Sequence, residues 1–149
     1  MDKVFNQSEG LSVVRKVYVE RLVDGQSRWV ELEKENRLKV GDKIKSSLRL
    51  TTDRDMDFVQ IKENRAACME PASVLSGYRW GQGLGYYQVI KDASMEYYMD
   101  KLRKGTCTIE SLYYITLEGV YEMGSVKVQS AYAPEFNAHT EGRTLKVAK

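Results

Sequence analysis

Three stretches carry residue types capable of chemistry. In "GQGLG", Gly81, Gly83 and Gly85 have the density of a phosphate-cradling loop. Such a loop sits between a strand and a helix whose N-terminus meets the phosphate. The continuation "YYQVIKDAS" is not a helix start, so tight turns between strands account better for these glycines. The rings beside them, Tyr78, Trp80, Tyr86 and Tyr87, offer a stacking platform for a sugar or a peptide, although most such rings serve as buried area. "DRDMD" alternates Asp53, Asp55 and Asp57 as the first half of a calcium loop does. The Gly and the Glu that must follow are replaced by Phe58 and Asn64, which leaves a solvated turn with Arg54 as a partner for the carboxylates.

His139 is the single histidine and lies in the polar run "NAHTEGR", expected to be a loop, with no nucleophile signature beside it. Zinc needs closely spaced ligand pairs, and Cys68, Cys107 and His139 are far apart in sequence. Glu63, Glu70 and Glu96 could supply a glycosidase-type carboxylate pair only if the fold brought two of them together. No catalytic residue, metal site or cofactor is therefore expected. The two cysteines neither require nor exclude a disulfide, and two buried free thiols are the simpler reading.

The elements that must position these groups are strands. The chain has 149 residues, enough for one domain with a full core. Its 23 Lys and Arg against 21 Asp and Glu give a net charge of +2, which supplies no basic field for nucleic acid or a membrane. No apolar run is long enough to span a bilayer, and "MDKVFNQSEG" lacks the hydrophobic core of a secretory signal. Taken literally this predicts a cytoplasmic protein, an inference that fails if the chain is cut from a longer one.

In "LSVVRKVYVERL", Leu11, Val13, Val17 and Val19 share one face at period two, with Arg15 and Arg21 at the same parity. "SRWVELEK" follows, and Gly41-Asp42 supplies a turn before "IKSSLRLTT", where Ile44, Leu48 and Leu50 face one way. "MDFVQIKEN" and "AACMEP" continue the series, and "DASMEYYMDKL" is read as a strand. "GTCTIESLYYITLEG" sets Cys107, Ile109, Tyr113, Ile115 and Leu117 on one face and Leu112 and Tyr114 on the other. Apolar residues at both parities imply cover on both faces for part of its length. "GSVKVQSAYAPEF" aligns Val126, Val128 and Tyr132 before Pro134 ends the pairing, and "RTLKVA" closes the chain. Short strands punctuated by turns, with no βαβ alternation, predict an all-β, antiparallel β-sandwich over residues 11–149, preceded by a loose polar segment at 1–10.

The run "LKVGDKIKSSLRLTTDRDMDFVQIKENRAACMEP", with "LSGYRWGQGLGYY", "KDAS", "KGT" and "AYAPEFNAHTEG", resembles the C-terminal macroglobulin-like domain of bacterial alpha-2-macroglobulins, the Bacteroidetes type in particular. The likeness covers nearly the whole chain. It implies a macroglobulin- or immunoglobulin-like sandwich equivalent to the receptor-binding domain of the vertebrate proteins. It also implies a fragment of a much larger periplasmic or envelope protein that traps attacking proteases, in some members covalently through a thioester. The partners implied are the other domains of the parent chain and, through the parent, its target proteases. The thioester signature, a Cys one residue before Glu-Gln, is absent: Cys68 is followed by "MEP" and Cys107 by "TIE". In the family it lies in an upstream domain. A turn that often reads Leu-Pro-Lys-Gly is Leu102-Arg103-Lys104-Gly105 here, which loosens the turn without changing the fold.

By analogy with thioester-bearing relatives, the resemblance implies a contact surface around Tyr132, Pro134, Glu135 and Phe136, and secondarily Tyr78, Arg79 and Trp80. Core packing stands level with this reading for Tyr132, given its shared parity with Val126 and Val128. The alternative function is a free-standing carbohydrate- or peptide-binding module.

Overall fold

The computed structural model describes residues 4–5, 10–33, 37–72, 77–81, 84–133 and 137–149. All regular structure among them is strand: β1 (Val4–Phe5), β2 (Leu11–Val23), β3 (Gln26–Glu31), β4 (Leu38–Lys39), β5 (Lys43–Thr52), β6 (Met56–Asn64), β7 (Met69–Pro71) and β8 (Gly77–Gly81). β9 (Leu84–Ile90), β10 (Ser94–Leu102), β11 (Gly105–Ile115), β12 (Gly119–Met123), β13 (Val126–Ser130), β14 (Asn137–Thr140) and β15 (Arg143–Ala148) complete the chain. A seven-stranded sheet runs β1-β14-β13-β6-β10-β9-β8, a five-stranded sheet β3-β2-β5-β11-β7, and a small third sheet β12-β15-β4. Every pairing is antiparallel except β15 with β4.

The two large sheets face each other across one hydrophobic core, the expected sandwich. Period-two alternation makes this core: Leu11, Val13, Val17 and Val19 of β2, Ile44, Leu48 and Leu50 of β5, and Ile109, Tyr113 and Ile115 of β11 are all buried. From the other sheet come Val59 and Ile61 of β6, Tyr97 and Met99 of β10, and Val126 and Val128 of β13. "DASMEYYMDKL" is the strand β10, and the tyrosine pair divides between faces, with Tyr97 buried and Tyr98 exposed.

Gly41 takes the turn before β5 with a left-handed φ of 98°, as the Gly-Asp signal requires. The Asp42 carboxylate accepts the Lys39 amide at 2.8 Å and pairs with Arg21 at 3.0 Å. "DRDMD" forms the corner where the chain passes from β5 to β6 and so changes sheet. There Asp53 pairs with Arg54 at 2.8 Å, as expected, and Asp55 accepts the Lys104 amide at 2.7 Å, tying in the neighbouring β10–β11 turn. The Arg54 hydrogen bond holds the Asp53 carboxyl below its usual range.

Four readings need correction. "NAHT" is β14 and not a loop: His139 is half-buried and stands in register with Phe5 on one side and Lys127 on the other. Cross-strand partners distant in sequence override its polar composition. Leu112 and Tyr114 are 36% and 44% exposed, so the second face of β11 is uncovered by this chain. Leu117 lies beyond the end of β11 and is exposed, and Tyr132 lies beyond the end of β13. Cys68 is a buried free thiol, but Cys107 is only half-buried, and burial raises the pKa of both.

Candidate functional site

Two places depart from the rule that places apolar groups inside and polar groups outside. The first is within the core. Arg15 of β2 and Glu63 of β6 are both fully buried and face each other from opposite sheets, Arg15 Nη1 lying 3.9 Å from Glu63 Oε2. Ser46 of β5 donates to Glu63 Oε2, and Tyr113 of β11 donates to Oε1 at 2.9 Å. Arg15 Nη2 donates to the Glu141 carbonyl at 3.3 Å. Beside this set the hydroxyls of Tyr97 (β10) and Ser111 (β11) hydrogen-bond across the same gap, with the Tyr86 ring edge-on to Tyr97 at 5.7 Å.

Desolvation makes such a junction expensive, and only good hydrogen bonding sustains it. Here the one carboxylate has three partners drawn from three strands of the facing sheet. Burial first and the Glu63 charge second push both the Tyr97 and Tyr113 phenols well above their ordinary value of 10.0, so both stay protonated. The junction carries no sequence signature of an active site. A signal was nonetheless available: Arg15 stands at the parity of the β2 valines, which marks a charge bound for the core.

The three glutamates do not converge. Glu63 lies in the core, Glu96 projects from the outer side of β10 where it accepts from Tyr98, and Glu70 is exposed on β7 in the other sheet. Among the described residues, no group of three or more His, Cys, Asp or Glu is placed to hold a metal ion. "YRWGQGLGYY" contributes the antiparallel pair β8–β9, with Tyr78 in register with Tyr87 and Arg79 with Tyr86. Strand alternation divides the supposed ring platform, since Tyr86 packs on the core while Tyr87 is exposed.

The second departure is at the surface. Phe58 and Tyr132 stand 45% and 75% exposed, their rings edge-to-face with centroids 4.9 Å apart. Phe58 has a left-handed φ of 54°, a conformation that costs a non-glycine residue about 1 kcal/mol or more. Its neighbours show the consequence. Met56 and Val59 are buried and both residues between them point outward, and β10 shows the same slip at Asp100 and Lys101. The Phe58 carbonyl accepts the Ala131 amide at 2.8 Å and Ser130 Oγ donates to the Asp57 carbonyl at 3.3 Å, so the segment leaving β13 is laced to this irregularity. Tyr132 is thereby turned out of the core, which removes the packing alternative for it. Nothing in the sequence announces a left-handed phenylalanine at this position. Pro134, Glu135 and Phe136 lie outside the described residues, and Tyr78, Arg79 and Trp80 belong to β8, whose placement is known by register.

Comparison with known proteins gives this surface its context. The family model of the Bacterial Alpha-2-macroglobulin MG10 domain matches residues 10–135. Among solved structures, Salmonella alpha-2-macroglobulin reacted with methylamine superposes at a TM-score of 0.70 with 16% identity, over 100% of this chain and 10% of that one. Trypsin-activated alpha-2-macroglobulin from Escherichia coli gives 0.68 with 15% identity, over 95% of this chain and 10% of that one. Native E. coli alpha-2-macroglobulin, spanning domain MG7 to the C-terminus, gives 0.68 with 14% identity, over 95% of this chain and 24% of that one. At such identities the structures speak for the fold alone. No curated protein matches the sequence significantly. The chain spans about a tenth of the length of the Salmonella protein and of the trypsin-activated E. coli protein, and it corresponds to one domain within large multi-domain chains. With 126 of its 149 residues inside the family match, counting 10 through 135, the chain belongs to the bacterial alpha-2-macroglobulin MG10 domain family.

Proposed function

We propose that this chain acts as a non-catalytic C-terminal domain of an alpha-2-macroglobulin-like protein of the bacterial periplasm or cell envelope, of the Bacteroidetes type. It contributes to protease trapping by packing on other domains of the same polypeptide, including a thioester domain where the parent has one. Residues 11–149 form the working domain, to whose larger sheet Val4–Phe5 adds an edge strand. The contact surface comprises Tyr132 with Pro134, Glu135 and Phe136, extended by Phe58, and secondarily Tyr78, Arg79 and Trp80.

One observation carries this reading: the fold of the whole chain recurs as a single segment of alpha-2-macroglobulin chains about ten times its length. The Phe58–Tyr132 corner supports the location of the surface, because a strained backbone that holds rings in water is accounted for when a partner covers them. An immunoblot of native cell fractions with an antibody against this domain tests the proposal. A band much heavier than 17.1 kDa in the envelope fraction is expected, and incubation with trypsin should convert it to a protease-bound form. A soluble band at 17.1 kDa contradicts it.

A further inference from the structure

Past Val19, β2 runs beyond the sheet to which it belongs. Its pairing with β5 ends at Val19 opposite Ile44, and among the described residues the stretch 20–23 pairs with β3 alone. No residue from 20 to 31 is buried, and Leu22 is 79% exposed. Arg21 holds the base of this ribbon through Asp42 at 3.0 Å. A two-stranded ribbon with no apolar face laid on a core is marginal in water, so its tip opens at small free-energy cost while the sandwich stays closed.

The tip itself is Asp24-Gly25. Val23 stands in register with Gln26, so these two residues make the whole turn, and their left-handed φ angles of 52° and 78° are those of a type I′ turn. Both are exposed, and a Cβ placed on Gly25 would meet nothing within 4 Å. In the whole sequence this is also the one place where Asp or Asn precedes Gly. That order of residues has a chemical consequence. An aspartate carboxyl carbon lies within five-membered-ring reach of the next amide nitrogen, and a side chain on the next residue hinders their approach. Glycine removes the hindrance. The exposed Asp53, Asp55, Asp57 and Asp100 are followed instead by Arg, Met, Phe and Lys.

We propose that Asp24 is a self-modification site, where spontaneous isomerisation to isoaspartate follows local opening of the β2–β3 tip. A closed type I′ turn holds the Gly25 nitrogen turned away from the Asp24 carboxyl, so opening must come first. In the opened tip the Gly25 amide nitrogen attacks Asp24 Cγ. The new N–Cγ bond closes a succinimide, and the carboxyl hydroxyl leaves with the amide proton as water. A second water then adds to the former main-chain carbonyl carbon of Asp24 and breaks its bond to nitrogen. The chain now runs through Cγ and the free carboxylate sits on Cα, with nothing oxidised and the mass unchanged. A two-residue turn cannot absorb the extra main-chain carbon in register, so Val23 and Gln26 lose their pairing while the core up to Val19 is untouched.

Ageing the intact, folded polypeptide at neutral pH tests the inference. Trypsin, cutting after Arg21 and Arg28, releases residues 22–28 as one peptide. Its isomerised form keeps the same mass, separates by chromatography and accepts a methyl group from an isoaspartate-specific methyltransferase. This peptide should gather more isoaspartate than all other aspartyl peptides of the chain together, and Asp24→Ser should abolish the signal there. Tyr113→Phe weakens the buried junction and should leave the rate at Asp24 unchanged, because the tip opens without the sandwich. Isoaspartate absent from residues 22–28, or spread evenly over Asp53, Asp55 and Asp57, overturns the site. A rate that rises in step with the stability lost in Tyr113→Phe overturns the local opening.

Discussion

The Arg15–Glu63 junction and the Phe58–Tyr132 corner are mirror images in physical terms. One holds charge where apolar groups belong, and the other holds rings where polar groups belong. They differ in where the compensation lies. The Glu63 carboxylate finds its cation and two hydroxyl donors within the chain, from β2, β5 and β11, so the junction is explained by the fold it closes. Among the described residues, the exposed rings meet each other edge-to-face. An inversion satisfied internally fixes how two sheets sit, whereas one left open at the surface indicates what lies beyond the molecule.

Substitutions should separate the two regions by the size of their effects. Glu63→Ala leaves Arg15 buried without its carboxylate and should cost about 3–5 kcal/mol, read as a lowered urea midpoint. Adding Arg15→Met should recover only part of that loss, because the Ser46 and Tyr113 hydroxyls stay stranded. Tyr113→Phe removes a hydrogen bond to a charged group and should cost about 1.5–3 kcal/mol in the same assay. A junction variant with no measurable cost would break the comparison.

The junction should also make the protein alkali-sensitive. Tyr97 and Tyr113 have folded-state pKa values above the ordinary 10.0, so their contribution is fully present below that value. As pH rises past it the unfolded chain loses phenol protons that the folded chain keeps, and stability falls toward the folded values. Unfolding free energy measured against pH should decline above about pH 10, with a shallower slope in Tyr97→Phe. At the corner, Phe58→Gly relieves the left-handed backbone and should leave stability unchanged or raise it by about 1 kcal/mol, even with the ring contact to Tyr132 lost. A loss as large as that of Tyr113→Phe would place Phe58 among the structural residues.

Much of the sandwich was legible because period two speaks directly to burial: the valines of β2, the Ile44–Leu50 face of β5 and the Ile109–Ile115 face of β11 lie in the sequence. Strand ends were less legible. β13 stops at Ser130 because Ala131 is drawn to the Phe58 carbonyl on another strand, a contact that no local pattern announces. His139 was misread for the same reason, its neighbours on β13 and β1 being remote in sequence. Arg15 was written plainly in the parity of β2, but its partner Glu63 becomes visible only when the two sheets are stacked. The surface residues drawn from family resemblance divide accordingly: Tyr132 stands in the open, and the segment at 134–136 lies outside the described residues.

The most direct test sets Glu63→Ala beside Tyr132→Ala in one urea denaturation series. The first should lower the unfolding free energy by about 3–5 kcal/mol, and the second should stay within about 0.5 kcal/mol of the parent sequence. Equal losses would contradict the account, since the exposed ring would then be holding the fold together and not awaiting a partner.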